Sequence, residues 1–193
     1  MKSTLKNMVL VLFCITLICP AAVGLVYQAT KGPIDAAKAA KVTQAIALVL
    51  PEFTNDPGTE KQVIDVDGGQ VTVYTAKKGD TVVGYAVETF TNNGFGGLIK
   101  LMAGFLPDGT ICKVETLQHS ETPGLGDKID RSKSDFSVQF EGKNPGTYRL
   151  AVKKDGGDVD AITASTISSR AYVDALTRAY KTVQSLTNSA DHE

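Results

Sequence analysis

Tryptophan is absent from this 193-residue chain, histidine occurs twice and cysteine three times. Three thiols cannot supply the four ligands of an iron–sulfur cluster held by one chain. Together with two imidazoles they also leave too few ligands for several zinc sites, and no metal site is expected. Cys14 and Cys19 fall inside an uncharged run, so only Cys112 remains in the rest of the chain and no internal disulfide can form there. Charge of one sign is missing too. Lysine and arginine total 20 against 21 acids, a net charge of −1. A nucleic-acid binder normally carries a basic excess or stripe, so nucleic acid is not an expected partner. Charged residues at 21% and hydrophobic residues at 42% fit neither a disordered chain nor a polytopic membrane protein. The length suits a single domain with a substantial core.

Residues 8–27, opening at Met8 and closing at Tyr27, read MVLVLFCITLICPAAVGLVY, 20 positions without a charge. A helix of that length spans roughly 30 Å, the thickness of a bilayer's hydrocarbon core. A cleaved signal peptide is the competing reading, since Lys2 and Lys6 precede the run and Ala21, Ala22 and Gly24 supply small residues. The run exceeds the usual signal core, which favours a retained anchor in the lipid bilayer. Lys31, Lys38 and Lys41 follow it, so basic residues nearly balance across the span and leave its orientation open.

Beyond the anchor (residues 1–30), Gly32-Pro33 reads as punctuation. An Ala-rich helix is expected from Asp35 until Pro51 stops it. Residues 31–60 then form a juxtamembrane helix and linker, and residues 61–193 a domain. VTVYTA, TVVGYAVETF, LIKLMAGF and TICKVETL are β-branched and aromatic runs separated by Asp-Gly-Gly, Lys-Gly-Asp, Asn-Asn-Gly and Pro-Asp-Gly turns. Their close spacing predicts an antiparallel meander. TYRLAVK predicts one more strand. From about Ser168 to Leu186, Tyr172, Leu176, Ala179, Tyr180, Val183 and Leu186 recur at helical spacing, predicting a long amphipathic helix. The fold class is α+β.

The segment before that helix is dense in oxygen. Asp160-Ala-Ile-Thr-Ala-Ser-Thr-Ile-Ser-Ser169 holds five hydroxyls between Thr163 and Ser169. One Ser or Thr suffices to cap a helix. Five in this place also suit an anion site, where free amides and the helix dipole favour a phosphate and Arg170 could add a charged contact. Both readings stand on the residues alone. Upstream, His119-Ser-Glu-Thr-Pro-Gly-Leu-Gly126 is a Pro-Gly turn. It is not a P-loop, because GLGDK lacks that spacing and its Lys-Ser/Thr ending.

Taken together, these segments resemble the FMN-binding domain family. The stretch from Asp160 to Ser169 is similar to that family's flavinylation motif, in which a flavin transferase esterifies the FMN phosphate to a threonine hydroxyl. The resemblance implies covalent FMN on Thr166, with Asp160, Thr163, Ser165, Ser168 and Ser169 as motif neighbours. Ala164 and Ser165 stand where the motif more usually has glycine and alanine, and Ala164 tolerates positive φ less well than glycine. The family's Glu-Thr-Pro-Gly-Leu-Gly loop matches Glu121, Thr122, Gly124, Leu125 and Gly126 here. Asn93-Gly-Phe-Gly-Gly97 matches a glycine stretch, which adds Gly96 and Gly97 as cofactor contacts. The FMN-binding region implied covers about residues 92–187. One anchor, one such domain and one motif near the carboxyl end look like the G subunits of Rnf-type ion-translocating ferredoxin:NAD oxidoreductase complexes. The longer C subunits of sodium-translocating NADH:quinone reductases are the nearest alternative. That resemblance implies an electron relay in the cytoplasmic (inner) membrane, its flavin domain on the extracytoplasmic, periplasmic side and other membrane subunits as partners. No catalytic acid or base is expected, since His119 and His192 lack evident partners. A membrane-anchored binding or scaffold protein without redox chemistry is the reading from another class.

Overall fold

The computed structural model describes residues 4–190; Lys2 and His192 lie outside them. The chain divides into two compact units, Met1–Lys41 and Val42–Glu193. The helix α1 (Leu5–Val49) begins in the first and ends in the second.

Within the first unit α1 carries a window long and apolar enough to cross a membrane, and its side chains are exposed. Thr16 and Thr30 do not interrupt it. Each hydroxyl donates back to a carbonyl one turn earlier, Leu12 O at 3.0 Å and Val26 O at 2.8 Å. Gly32-Pro33 does not start a new helix, contrary to the sequence expectation: Pro20 and Pro33 both lie inside α1. A proline removes one N–H and crowds the carbonyl four residues back. Here nothing stands within 4 Å of a side chain placed at Gly32, so the backbone has room to adjust. The Ala-rich residues that follow favour helix strongly enough to continue it.

The second unit is built on a five-stranded antiparallel meander in the order β1 (Gln62–Val66), β2 (Gly69–Lys78), β3 (Thr81–Gly94), β4 (Gly97–Phe105), β5 (Ile111–Gln118). The α+β class and the meander agree with the sequence. Alternation sorts the strands' side chains onto two faces. Ile99, Leu101, Ala103 and Phe105 of β4, with Val71, Val73 and Val87, face the helix α2 (Thr166–Ala190). They meet Tyr172, Ala175, Leu176, Ala179 and Val183 in one core, as the helical spacing predicted. Each large apolar side chain so buried contributes about 1.5–3 kcal/mol. On the opposite face Tyr74, Ala76, Ala86 and Met102 pack with Ala45, Ile46, Val49 and Leu50 from the end of α1. Gly104 permits that approach, since a Cβ there would stand 2.0 Å from the Val49 carbonyl oxygen.

One expected strand is missing. TYRLAVK forms no ladder, only a single bridge from Val152 to Val159. Its alternation comes from Tyr148, Leu150 and Val152 packing against the core from a surface loop. The polar stretch before it is more structured than its composition suggests. A 3-10 turn at Asp135–Phe140 inserts Phe136 and Phe140 beside Tyr172, with ring centroids 5.3 and 5.5 Å away.

Two buried hydroxyls fix α2 along the sheet. Thr89 Oγ1 donates to Ala175 O at 2.9 Å and Thr91 Oγ1 to Asp174 Oδ2 at 2.7 Å. They hold the first half of α2 over β3, next to the turn that leads into β4.

Candidate functional site

Helix α2 begins at Thr166, two residues earlier than its periodicity suggested, because its first turn is tied from outside. Ser165 N–H donates to Ile162 O at 3.0 Å, closing a tight turn. Ser169 Oγ accepts from Ile162 N–H at 2.9 Å and donates to Ser165 O at 3.0 Å. Ala164, at the middle of this turn, has φ 62°. It is the one non-glycine residue with positive φ among the described residues, a conformation that costs roughly 1–2 kcal/mol for an L side chain. The sequence doubt about alanine at this position therefore has a structural counterpart.

The turn separates the five hydroxyls by role. Ser169 staples the turn and is fully buried. Ser168 donates to Glu121 Oε2 at 2.5 Å. Ser165 is buried and Thr163 is exposed. Thr166 is half-buried, and among the described residues no hydrogen bond engages its hydroxyl. Within α2 the N–H groups of Thr166, Ile167 and Ser168 have no helical acceptor, as at any helix start.

Glu121 arrives from the Gly-rich loop. It is 5% exposed, and its Oε1 accepts from Gly96 N–H at 3.0 Å. Gly126 lacks a side chain because there is no room for one: a Cβ would lie 2.5 Å from Glu121 Oε2 and 2.6 Å from Ser168 Oγ. Gly124 has positive φ and open space around it, so it serves the turn alone.

A cavity of about 320 Å³ lies where these segments meet. Glu121, Thr122, Leu125 and Gly126 line it from the loop; Ser165, Thr166 and Ser168 line it from the start of α2. Three lining residues were not named as cofactor contacts from the sequence: Phe95, Ala164 and Ile167. Phe95 and Ile167 are 70% and 50% exposed and form an apolar rim with Leu125. Phe95 stood inside the quoted glycine stretch, where only an aromatic between turn glycines marked it. Asp160, Thr163, Ser169, Gly96, Gly97 and Gly124 do not line the cavity. Gly96 acts through its N–H on Glu121, and Gly97, with φ +89°, closes the β3–β4 hairpin opposite Gly94. Asp160 is exposed and pairs with Lys153 Nζ at 2.6 Å. Arg170 faces away from the anion-site role considered for it. It makes two 2.7 Å hydrogen bonds to Asp155 and holds that carboxyl below its ordinary range. Among the described residues no group of three His, Cys, Asp or Glu side chains is arranged to hold a metal ion.

Three sequence segments, at Phe95, at the Glu121 loop and at the start of α2, thus wall one cavity with a free threonine hydroxyl at a helix start. Comparison with known proteins gives this arrangement a class: residues 94–181 match the FMN-binding domain. The chain is 37% identical to the G subunit of the ion-translocating oxidoreductase complex of Shewanella amazonensis over 187 residues, covering 92% of this chain and 86% of the relative. It is 38% identical to the G subunit of the same complex from Cereibacter sphaeroides, covering 88% of this chain and 80% of the relative. The Haemophilus influenzae counterpart is 37% identical, covering 85% of this chain and 83% of the relative. The chain belongs to this family, the G subunits of ion-translocating oxidoreductase complexes.

Proposed function

We propose that the protein is a membrane-anchored flavoprotein subunit that carries FMN covalently on Thr166 and relays electrons within an ion-translocating oxidoreductase complex of the Rnf type. One observation carries the proposal: the Thr166 hydroxyl is unengaged at the first residue of α2, on the cavity shared with the Glu121 loop. The residues present fit the group. The unsatisfied amides of the first turn and the positive end of the helix favour a phosphate beside Thr166 Oγ1. Phe95, Leu125 and Ile167 offer apolar surface of the kind a flat ring covers.

FMN supplies the electron chemistry when bound; the polypeptide holds, orients and tunes it. Thr166 tethers through its oxygen. Ser169 and the Ala164 turn fix the start of α2, and Thr89 and Thr91 fix that helix on the sheet. No side chain is required to move a proton during relay. Residues 8–27 hold the domain at the cytoplasmic membrane, with the flavin on the extracytoplasmic side and the other membrane subunits of the complex as partners. Exposed Asp160, outside the cavity, is placed to be read by the flavin transferase during maturation.

The test is flavin fluorescence in a denaturing gel, with intact-mass analysis of the full chain expressed beside its transferase. The wild type should show a fluorescent band and the mass of an FMN ester. Thr166→Val should show neither while its circular dichroism is unchanged. A Thr166→Val chain that still gains the adduct refutes the assignment.

A further inference from the structure

We propose that Glu121 is a positioning residue of this site with two effects. It locks together the three segments that wall the cavity, and it places there a negative charge that makes the bound flavin harder to reduce. The inference rests on the reading of Thr166 as the flavin carrier.

The lock is visible in the hydrogen bonds. Oε1 accepts from Gly96 N–H in the β3–β4 hairpin at 3.0 Å. Oε2 accepts from Ser168 Oγ in the first turn of α2 at 2.5 Å. The residue's own N–H donates to His119 Nδ1 at 3.2 Å, which shapes the loop start. One side chain therefore joins a hairpin 25 residues upstream to a helix 47 residues downstream. Two glycines make the seat. A Cβ at Gly94 would stand 2.6 Å from Oε1, and a Cβ at Gly126 would stand 2.5 Å from Oε2.

The charge follows from the partners. Both oxygens accept from donors, Gly96 N–H and the Ser168 hydroxyl, which is how a carboxylate with no proton to donate is satisfied. No ion pair among the described residues includes Glu121. A buried carboxylate without a cation costs desolvation energy that a glutamine of the same shape would avoid. A tie alone does not call for the charge. Its consequence is electrostatic: each electron taken from a reductant adds one negative charge to the flavin unless a proton follows. Because Glu121 is itself buried, its charge is screened less than a surface carboxylate's and opposes that gain more strongly.

The two effects separate in two variants of the full, flavin-loaded chain in detergent. Glu121→Gln keeps the length and removes the charge. Glu121→Asp keeps the charge but is one methylene too short to reach both Gly96 and Ser168. A dithionite titration at fixed pH should give Glu121→Gln a midpoint potential above the wild type. Glu121→Asp should keep a potential near the wild type while its flavin fluorescence anisotropy falls, as the ring loosens. A Glu121→Gln potential equal to the wild type's overturns the inference. So do equal shifts of potential in both variants, which would mean a structural role only. If Glu121→Gln does not accumulate, Glu121→Asp decides: an upward shift with the charge retained refutes it, and a preserved potential with lower anisotropy supports it. Wild-type chain without an FMN adduct by intact mass overturns instead the reading of Thr166 on which this depends.

Discussion

Replacing Ala164 with glycine should stabilise the protein. Ala164 holds φ at 62°, where its Cβ crowds the following carbonyl at a cost of roughly 1–2 kcal/mol. Glycine removes that cost but has a more flexible unfolded chain, which takes back about 0.4–1 kcal/mol. The alanine methyl is exposed, so losing it sacrifices little packing. Taking the middle of each range leaves a gain of about 0.8 kcal/mol. For a domain of this size that raises Tm by roughly 1–4 °C. Because the chain has no tryptophan, thermal unfolding should be followed by far-UV circular dichroism or calorimetry on the full chain in detergent. Ala164→Val makes the converse case. A β-branched side chain at positive φ should lower Tm by more than glycine raises it. A fall in Tm for Ala164→Gly would refute the reasoning, because it would mean that the methyl contributes more by contact than the backbone loses by strain.

Three further outcomes are expected. Gly126→Val forces a side chain into the space of Glu121 Oε2 and Ser168 Oγ, so it should change the flavin's absorption spectrum and potential while the FMN adduct persists by intact mass; an unaltered spectrum would place the loop away from the ring. Asp160→Ala should lower the fraction of chains that carry flavin in cells without lowering Tm, since its carboxylate is exposed and paired only with a surface lysine; full occupancy with normal attachment kinetics would remove its part in maturation. Burial, helped by the Glu88 carboxylate, pushes the Tyr74 phenol up to about 12. Its contribution to stability is therefore complete below pH 10 and is lost as pH rises from 10 towards 12. Tyrosinate absorbance should lose a late-titrating component near pH 12 in Tyr74→Phe, while burial keeps the Tyr172 phenol protonated to still higher pH in both chains.

The meander was legible because glycine-containing turns separate strands rich in β-branched and aromatic residues. β1 was not, since QVIDV is short and its residues stay largely exposed at the sheet edge. TYRLAVK misled by its alternation: apolar residues at every second position also describe a loop laid along a core. Gly32-Pro33 misled because local punctuation was weighed without the long favourable runs on either side. Most of the cavity could be named in advance, since two of its three walls carry the named motif residues. The work of Gly126 could not. From the sequence it was one residue of a matched loop, and the structure gives the space beside it to Glu121 and Ser168. Contacts that depend on which distant segments meet leave no mark on local spacing.

The packing of residues 42–50 against the back of the sheet bears on how a water-soluble form of the domain should be cut. Tyr74, Ala76, Ala86 and Met102 are buried in one cluster with Ala45, Ile46, Val49 and Leu50. A chain trimmed just before β1 would bare that apolar face and aggregate. A chain trimmed after the apolar run but ahead of Val42 keeps its own cover, and should remain monomeric without detergent.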